Sequence, residues 1–213
     1  MSFLLCFLVL DDLEQSRYPT NSSPHRICLI INNISFQPPL RRRDGALVDE
    51  RRLIALFQHL DFDVYVKQDL TVDHMRSTAR EFAAKDHSQF DTFVFFILSH
   101  GGSNDVIFGV DGGTISVTEL LCFFKSAECP TLQNKPKLFF FQACRGPLQN
   151  HSLTASGTVP SSSGTRMVSV SALSRSTFPE EADFLLAFST APGYIAVRNK
   201  VRGSLFVEVS CLE

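Results

Sequence analysis

Short apolar runs that stop abruptly at polar or glycine residues constrain the fold of this chain more than any other feature. Residues 26–33 (RICLIINN), 92–98 (TFVFFIL), 137–142 (KLFFFQ) and 183–189 (DFLLAFS) are rich in Ile, Leu and Phe, and 61–67 (DFDVYVK) alternates. Runs of this length suit strands, and continuous ones suit strands buried on both faces of a parallel sheet. Between them, Leu53, Leu56, Phe57 and Leu60 recur at helical spacing within 46–60. A second helix begins near Thr71 and carries Val72, Met75, Ala79, Phe82 and Ala83 on one face. Strands alternating with helices predict an α/β fold with a mostly parallel sheet and helices on both faces. In such sheets chemistry collects beyond the carboxyl ends of the strands.

Further features refine the order of elements. Residues 105–115 hold Val-Asp-Gly-Gly between two short β-type runs and read as a hairpin excursion. Ser116-Val-Thr-Glu119 is a capping box for a helix expected to run through Lys125. Pro192-Gly193 marks a turn, and Gly203-Ser204 opens a last helix predicted to set Leu205, Val209 and Leu212 on one side. Residues 147–179 differ in composition: 13 of these 33 residues are Ser or Thr and none is Asp or Glu, which predicts a flexible linker.

Charge and cysteine usage narrow the function classes. Lys and Arg number 20 against 22 Asp and Glu, and the longest basic run is Arg41, Arg42 and Arg43, so no nucleic-acid or anionic-membrane partner is expected. With 44% hydrophobic residues the chain can bury a sizeable core and is not disordered. The cysteines at 6, 28, 122, 129, 144 and 211 form no CxxC pair, so no metal site, cofactor or disulfide framework is expected, and the thiols fit a reduced, cytoplasmic protein. Residues 1–10 are apolar apart from Ser2, but no positive residue precedes them and Asp11 and Asp12 follow at once. They read as an arm rather than a signal peptide or a membrane span. The sequons at Asn21, Asn33 and Asn150 are read as chance.

His100 and Cys144 stand just past the ends of the third and fourth predicted strands. A sheet that pairs those strands brings an imidazole beside a thiol. The imidazole can take the thiol proton and later return it to a leaving amine. Main-chain N–H groups of Gly101 and Cys144 could face a developing oxyanion, with glycine allowing close approach.

The sequence around these residues resembles the caspase family. Gln142-Ala-Cys144-Arg-Gly146 is similar to the family's cysteine signature, and Ser99-His100-Gly101 to its histidine segment. Ile30-Ile-Asn-Asn33, Gly109-Val-Asp-Gly112, Lys135-Pro-Lys137 and Ala182-Asp-Phe184 follow in the family's order between about Tyr18 and Cys211. Cys129-Pro-Thr-Leu and Pro192-Gly-Tyr194 are similar to initiator-type members. The resemblance implies a caspase-like three-layer sandwich and a cysteine endopeptidase that cleaves after aspartate in apoptotic or inflammatory proteolysis. It implies Cys144 as nucleophile, His100 as base and Gly101 as an oxyanion donor. Arg43, Gln142 and Arg198 match the residues that hold the substrate's aspartate, since two guanidiniums and an amide suit one carboxylate. Arg41 and Arg42 are expected to be solvated. Replacing Arg43 or Arg198 is expected to weaken cleavage after Asp far more than it weakens the fold.

The resemblance also implies an organisation: an arm over 1–17, a large-subunit-like region over 18–146, the linker over 147–179, and a partial small-subunit-like region over 180–213. By this resemblance no caspase-recruitment or death-effector prodomain is expected before Tyr18, the family's final elements are expected to be missing after Glu213, and a caspase-type homodimer or heterodimer is expected only where they are supplied. Val197 and Leu205 stand where the family usually has aromatic residues, and residues 147–182 contain no Asp for self-cleavage. A second reading is therefore a weakly active or inactive homologue that regulates other caspases by binding. A generic nucleotide-binding domain is disfavoured because no Gly-rich loop follows the first strand.

Overall fold

The computed structural model describes residues 25–148 and 183–211. The arm at 1–17, most of the Ser/Thr-rich linker, Cys6, the sequons at Asn21 and Asn150, and Leu212 lie outside these residues. Five strands form one parallel sheet: β1 (Arg26–Asn32), β2 (Phe62–Gln68), β3 (Thr92–Leu98), β7 (Lys137–Gln142) and β8 (Phe184–Phe188), in the order β2-β1-β3-β7-β8.

Alternation along the strands builds two cores. Ile27, Leu29, Ile31, Phe93, Phe95, Ile97, Phe139 and Phe141 face one side, against Met75, Ala79 and Phe82 of α2 (Val72–Ala83) and Leu120 of α3 (Val117–Cys122). Cys28, Ile30, Val94, Phe96, Leu98, Leu138 and Phe140 face the other, against Leu53 and Phe57 of α1 (Ala46–His59) and Val207 of α4 (Leu205–Ser210). This is the expected three-layer sandwich, with β1, β3 and β7 buried on both faces as their composition requires, whereas β8, at the edge of the sheet, is only partly buried along its length. Neighbouring aromatics reinforce the register: Phe96 and Phe140, paired across β3 and β7, stack with centroids 5.1 Å apart. Among the described residues no helix is long and apolar enough to cross a membrane.

The predicted excursion forms an antiparallel pair, β5 (Val106–Phe108) and β6 (Thr114–Ser116), but a third strand that the sequence does not announce, β4 (Gly101–Gly102), joins its edge. Ser116 caps α3 by accepting from the Glu119 N–H at 3.0 Å. The Glu119 carboxylate turns instead to Arg76 Nε at 2.6 Å, and α3 ends at Cys122, before Lys125.

The last helix corrects the sequence reading. Leu205 and Val209 are exposed, whereas Val207 and Ser210 are buried and Phe206 packs on the core. Its orientation is set by the buried Ser204, whose hydroxyl accepts from the Val207 N–H and whose own N–H donates to Asp49. Burial on the inner face outweighs the Leu205–Val209 pairing, which a two-turn helix is too short to impose. Of the span read as a linker, Pro147 and Leu148 are described, and Leu148 pairs with Tyr194, donating to Gly193 O at 3.0 Å and accepting from Ile195 N at 2.8 Å.

His87 gives a pH-dependent test of the core. It is fully buried with Nε2 bonded to the Phe82 carbonyl at 2.7 Å, while Nδ1 has no partner. Burial lowers its pKa, and nearby Lys135 and Lys85 lower it further against the Phe82 bond. The unfolded chain therefore binds more protons below the ordinary imidazole range of about 6.5. The folded state gains its full His87 contribution above that pH and loses it as pH falls through the lowered value. His87→Gln is expected to shrink the loss of thermal stability between pH 7.5 and 5; an unchanged loss would contradict this account.

Candidate active site

β3 and β7 lie side by side in register Leu98↔Gln142, and Ser99 N donates to Gln142 O at 3.2 Å, so His100 and Cys144 leave the sheet at the same level. Gly101 is the point of closest approach. A β-carbon there would collide with the Cys144 carbonyl and with Ala143, so only glycine lets β4 run beside the turn that bears Cys144. The register thus sets His100, Gly101 and Cys144 at the same end of the sheet.

His100 is half-buried and its Nε2 bonds to the Arg41 carbonyl at 2.7 Å. A carbonyl only accepts, so Nε2 carries the proton and, in the neutral ring, Nδ1 is the basic atom. The ring also meets Phe36 edge-on at 4.6 Å. Burial lowers the His100 pKa most, the Arg41 bond opposes this, and the charges of Arg43 and Arg198 lower it further. Cys144 Sγ accepts from the Ala196 N–H at 3.4 Å. Among the other described cysteines, burial raises the pKa of Cys28 and Cys129 and pushes that of Cys211 up to about 11, and Cys122 is exposed on α3.

Arg43 is fully buried at the end of β1. Its N–H donates to Ile34 O at 2.9 Å, and Nη1 donates to Asn33 O at 2.9 Å and Asn32 Oδ1 at 3.3 Å. Nε and Nη2 are buried without a partner, as is Oε1 of the buried Gln142. Burial, then the charge of Arg198, lowers the Arg43 pKa to about 9, which leaves it charged at neutral pH. Arg198 opens β9 (Arg198–Asn199), which pairs with β10 (Gly203–Ser204). It is half-buried, and its Nε donates to Asp44 O at 2.8 Å. Cys144 interacts electrostatically with both guanidiniums, so Arg43, Arg198 and the thiol share one locality. Arg41 and Arg42 are exposed as expected. The burial of Arg43 corrects one expectation: its replacement empties buried space and leaves Asn32 Oδ1 and Asn33 O without this donor, so it disturbs the fold as well as the pocket.

Two groups at the site have partners that no local sequence signal announces. The Arg145 guanidinium makes a two-pronged contact with Asp105 (2.6 and 2.8 Å), donates to Thr190 O at 3.4 Å, and lies 4.0 Å above the Phe188 ring. Asp105 ends a turn whose Asn104 and Asp105 both have positive φ, 59° and 51°, a conformation that non-glycine residues keep only when their surroundings hold it. Arg145 supplies that hold and ties the turn after Gly101 to the turn after Cys144. The second group is Asp49, on α1 beside β10.

Similarity to known proteins follows the same residues. A family model described as the caspase domain matches residues 25–211. The chain is 37% identical over 191 residues to caspase-7 of Gallus gallus, covering 86% of this chain and 58% of that protein. It is 37% identical over 207 residues to caspase-3 of Mesocricetus auratus, covering 96% and 69%. With caspase-8 of Rattus norvegicus it shares 32% identity over 207 residues, covering 91% of this chain and 42% of the other. The chain thus spans 58% of the length of that caspase-7 and 42% of that caspase-8.

Proposed function

Because the chain belongs to the caspase family, we propose that it is a cysteine endopeptidase that cleaves peptide bonds after aspartate. The observation that carries the specificity is the buried Arg43, with two N–H-bearing nitrogens that have no partner, held near Arg198 and Cys144 with the Gln142 amide beside the thiol's turn. A buried guanidinium with unused donors costs free energy unless a ligand takes them up, and a carboxylate does so in charge and in geometry. Asn or Gln in the substrate would leave that charge uncompensated.

In the reaction His100 Nδ1 removes the Cys144 proton, and the sulfur attacks the carbonyl carbon to give a tetrahedral oxyanion. The N–H groups of Gly101 and Cys144 stabilise that oxyanion. Collapse breaks the C–N bond, His100 returns its proton to the departing amine, and a thioester remains. Water, deprotonated by the same imidazole, hydrolyses the thioester and restores the thiol. The lowered His100 pKa keeps the ring neutral, and so basic, at neutral pH.

Protein substrates, caspase-type dimers and the division into large-subunit-like, linker and small-subunit-like regions belong to the same reading. Its test is hydrolysis of peptide pairs that differ only in Asp or Asn at the cleavage site. Cleavage of the Asp member alone is expected; equal cleavage of both, or preference for Asn, would contradict the assignment of the pocket.

A further inference from the structure

The ribbon that carries Arg198 is mounted on the start of α1, directly after the loop that carries Arg43. Gly45, the residue before α1, has φ 85° and lies against the carbonyls of Asn199 and Lys200, where no β-carbon fits. Arg198 Nε donates to Asp44 O, and Arg52 Nη1 donates to Arg202 O at 2.5 Å. Asp49 is the interior member of this joint. It is fully buried, its Oδ1 accepts the Ser204 N–H at 2.7 Å, and it presses on Gly203, whose φ of 80° and lack of a side chain permit the contact. Its Oδ2 is buried without a hydrogen-bond partner.

An anchor for one N–H does not require a charge, since an asparagine oxygen would accept it equally well. A buried carboxylate with an unused oxygen is costly unless its charge is put to use. Ser204, which Asp49 holds, pairs with Arg198 across β10 and β9, so the buried carboxylate lies beside the ribbon that bears this guanidinium. Arg198 disfavours the charge on Arg43, and Asp49 supplies the largest favourable charge acting on each; burial raises the Asp49 pKa, and the two guanidiniums oppose that rise. We infer that Asp49 is a positioning residue that sets specificity: it fixes the Arg198 ribbon on α1 through Ser204 and is the internal counter-charge of the Arg43–Arg198 pair, so the empty pocket keeps one net positive charge for one substrate carboxylate. The specificity part rests on the reading of that pocket as the aspartate site.

Asp49→Asn, Asp49→Ala and Arg43→Gln/Asp49→Asn separate the two roles. Asp49→Asn keeps an acceptor for Ser204 but leaves two buried cations unbalanced. Its ligand-free melting temperature is expected to fall, and the same substitution made in an Arg43→Gln background is expected to cost far less. With the repelling anion gone, discrimination for Asp over Asn peptides in kcat/KM is expected to rise about tenfold or more in Asp49→Asn, since at an effective dielectric constant of about 20 even charges roughly 12 Å apart interact on that scale. Asp49→Ala also releases the ribbon, so KM for Asp peptides rises and discrimination falls.

A loss on Asp49→Asn as large in the Arg43→Gln background as in wild type would overturn the counter-charge role. If Asp49→Asn does not fold, a double variant as stable as Arg43→Gln makes the same test, and a double variant that fails to fold while Arg43→Gln folds is the same contradiction. Unchanged discrimination in Asp49→Asn overturns the specificity role, and a wild-type KM in Asp49→Ala overturns the anchoring. The melting comparisons need no hydrolysis. Absence of wild-type cleavage after Asp would therefore defeat the pocket assignment while leaving the counter-charge to be judged on its own.

Discussion

Replacing His100 by alanine is expected to lower kcat/KM for Asp peptides by roughly 10²- to 10⁴-fold, the usual contribution of a general base. The fold should change little. The half-buried ring gives up one bond to the Arg41 carbonyl and one edge contact with Phe36, which together cost on the order of 1 kcal/mol. The measurement is steady-state hydrolysis beside a thermal melt of the same preparation. Loss of rate with a retained melt identifies the imidazole as the proton carrier, because a structural role would lower both. Retained activity would mean that another group serves as base, and none of the neighbours named around Cys144 is a candidate. Arg43 and Arg198 are cations, and the Ala196 N–H only donates.

The second large effect concerns the two arginines. In wild type the Asp member of an Asp/Asn peptide pair is favoured. Arg198→Ala is expected to reduce that ratio by about 2–4 kcal/mol, roughly 30- to 1,000-fold, the cost of removing one charged partner from a desolvated carboxylate. Arg43→Ala should reduce the ratio by a similar factor and also destabilise the protein, since its side chain is fully buried and holds Asn32 and Asn33. Taking the ratio of two substrates on one preparation removes the effect of partial unfolding. An unchanged ratio in both variants would mean that these arginines do not read the substrate.

What the residues announce and what they conceal divide along a physical line. The parallel strands are legible because burial on both faces forces apolar residues into short unbroken runs. His100 and Cys144 are legible because each run ends abruptly where a site must begin. Long-range polar contacts leave no such trace. Three consecutive arginines at 41–43 look alike, yet only Arg43 turns inward, to carbonyl and amide groups at the end of β1 that no local pattern reveals. Asp49 reads as an ordinary first-turn helix acid; its partner is Ser204, 155 positions away. Arg145 and Asp105 are 40 positions apart, and the Asn-Asp pair at 104–105 resembles any polar turn until its positive φ values are known. In α4 the spacing of Leu205 and Val209 suggested an inner face, and the clamp on Ser204 rotates the helix so that Phe206 and Val207 point inward instead.

The proposal that Cys144 is a nucleophile serving an aspartate pocket is tested most directly by peptide mapping after reaction with an electrophile built on an aspartyl peptide. Simple alkylating agents are less informative, because Cys122 is exposed and competes. With the aspartyl reagent, one adduct is expected, on the peptide containing Cys144, and it should be lost in Arg198→Ala at the same reagent concentration. Adducts distributed equally over Cys122 and Cys144, or modification of Cys144 at an undiminished rate by the matched asparaginyl reagent, would contradict the assignment.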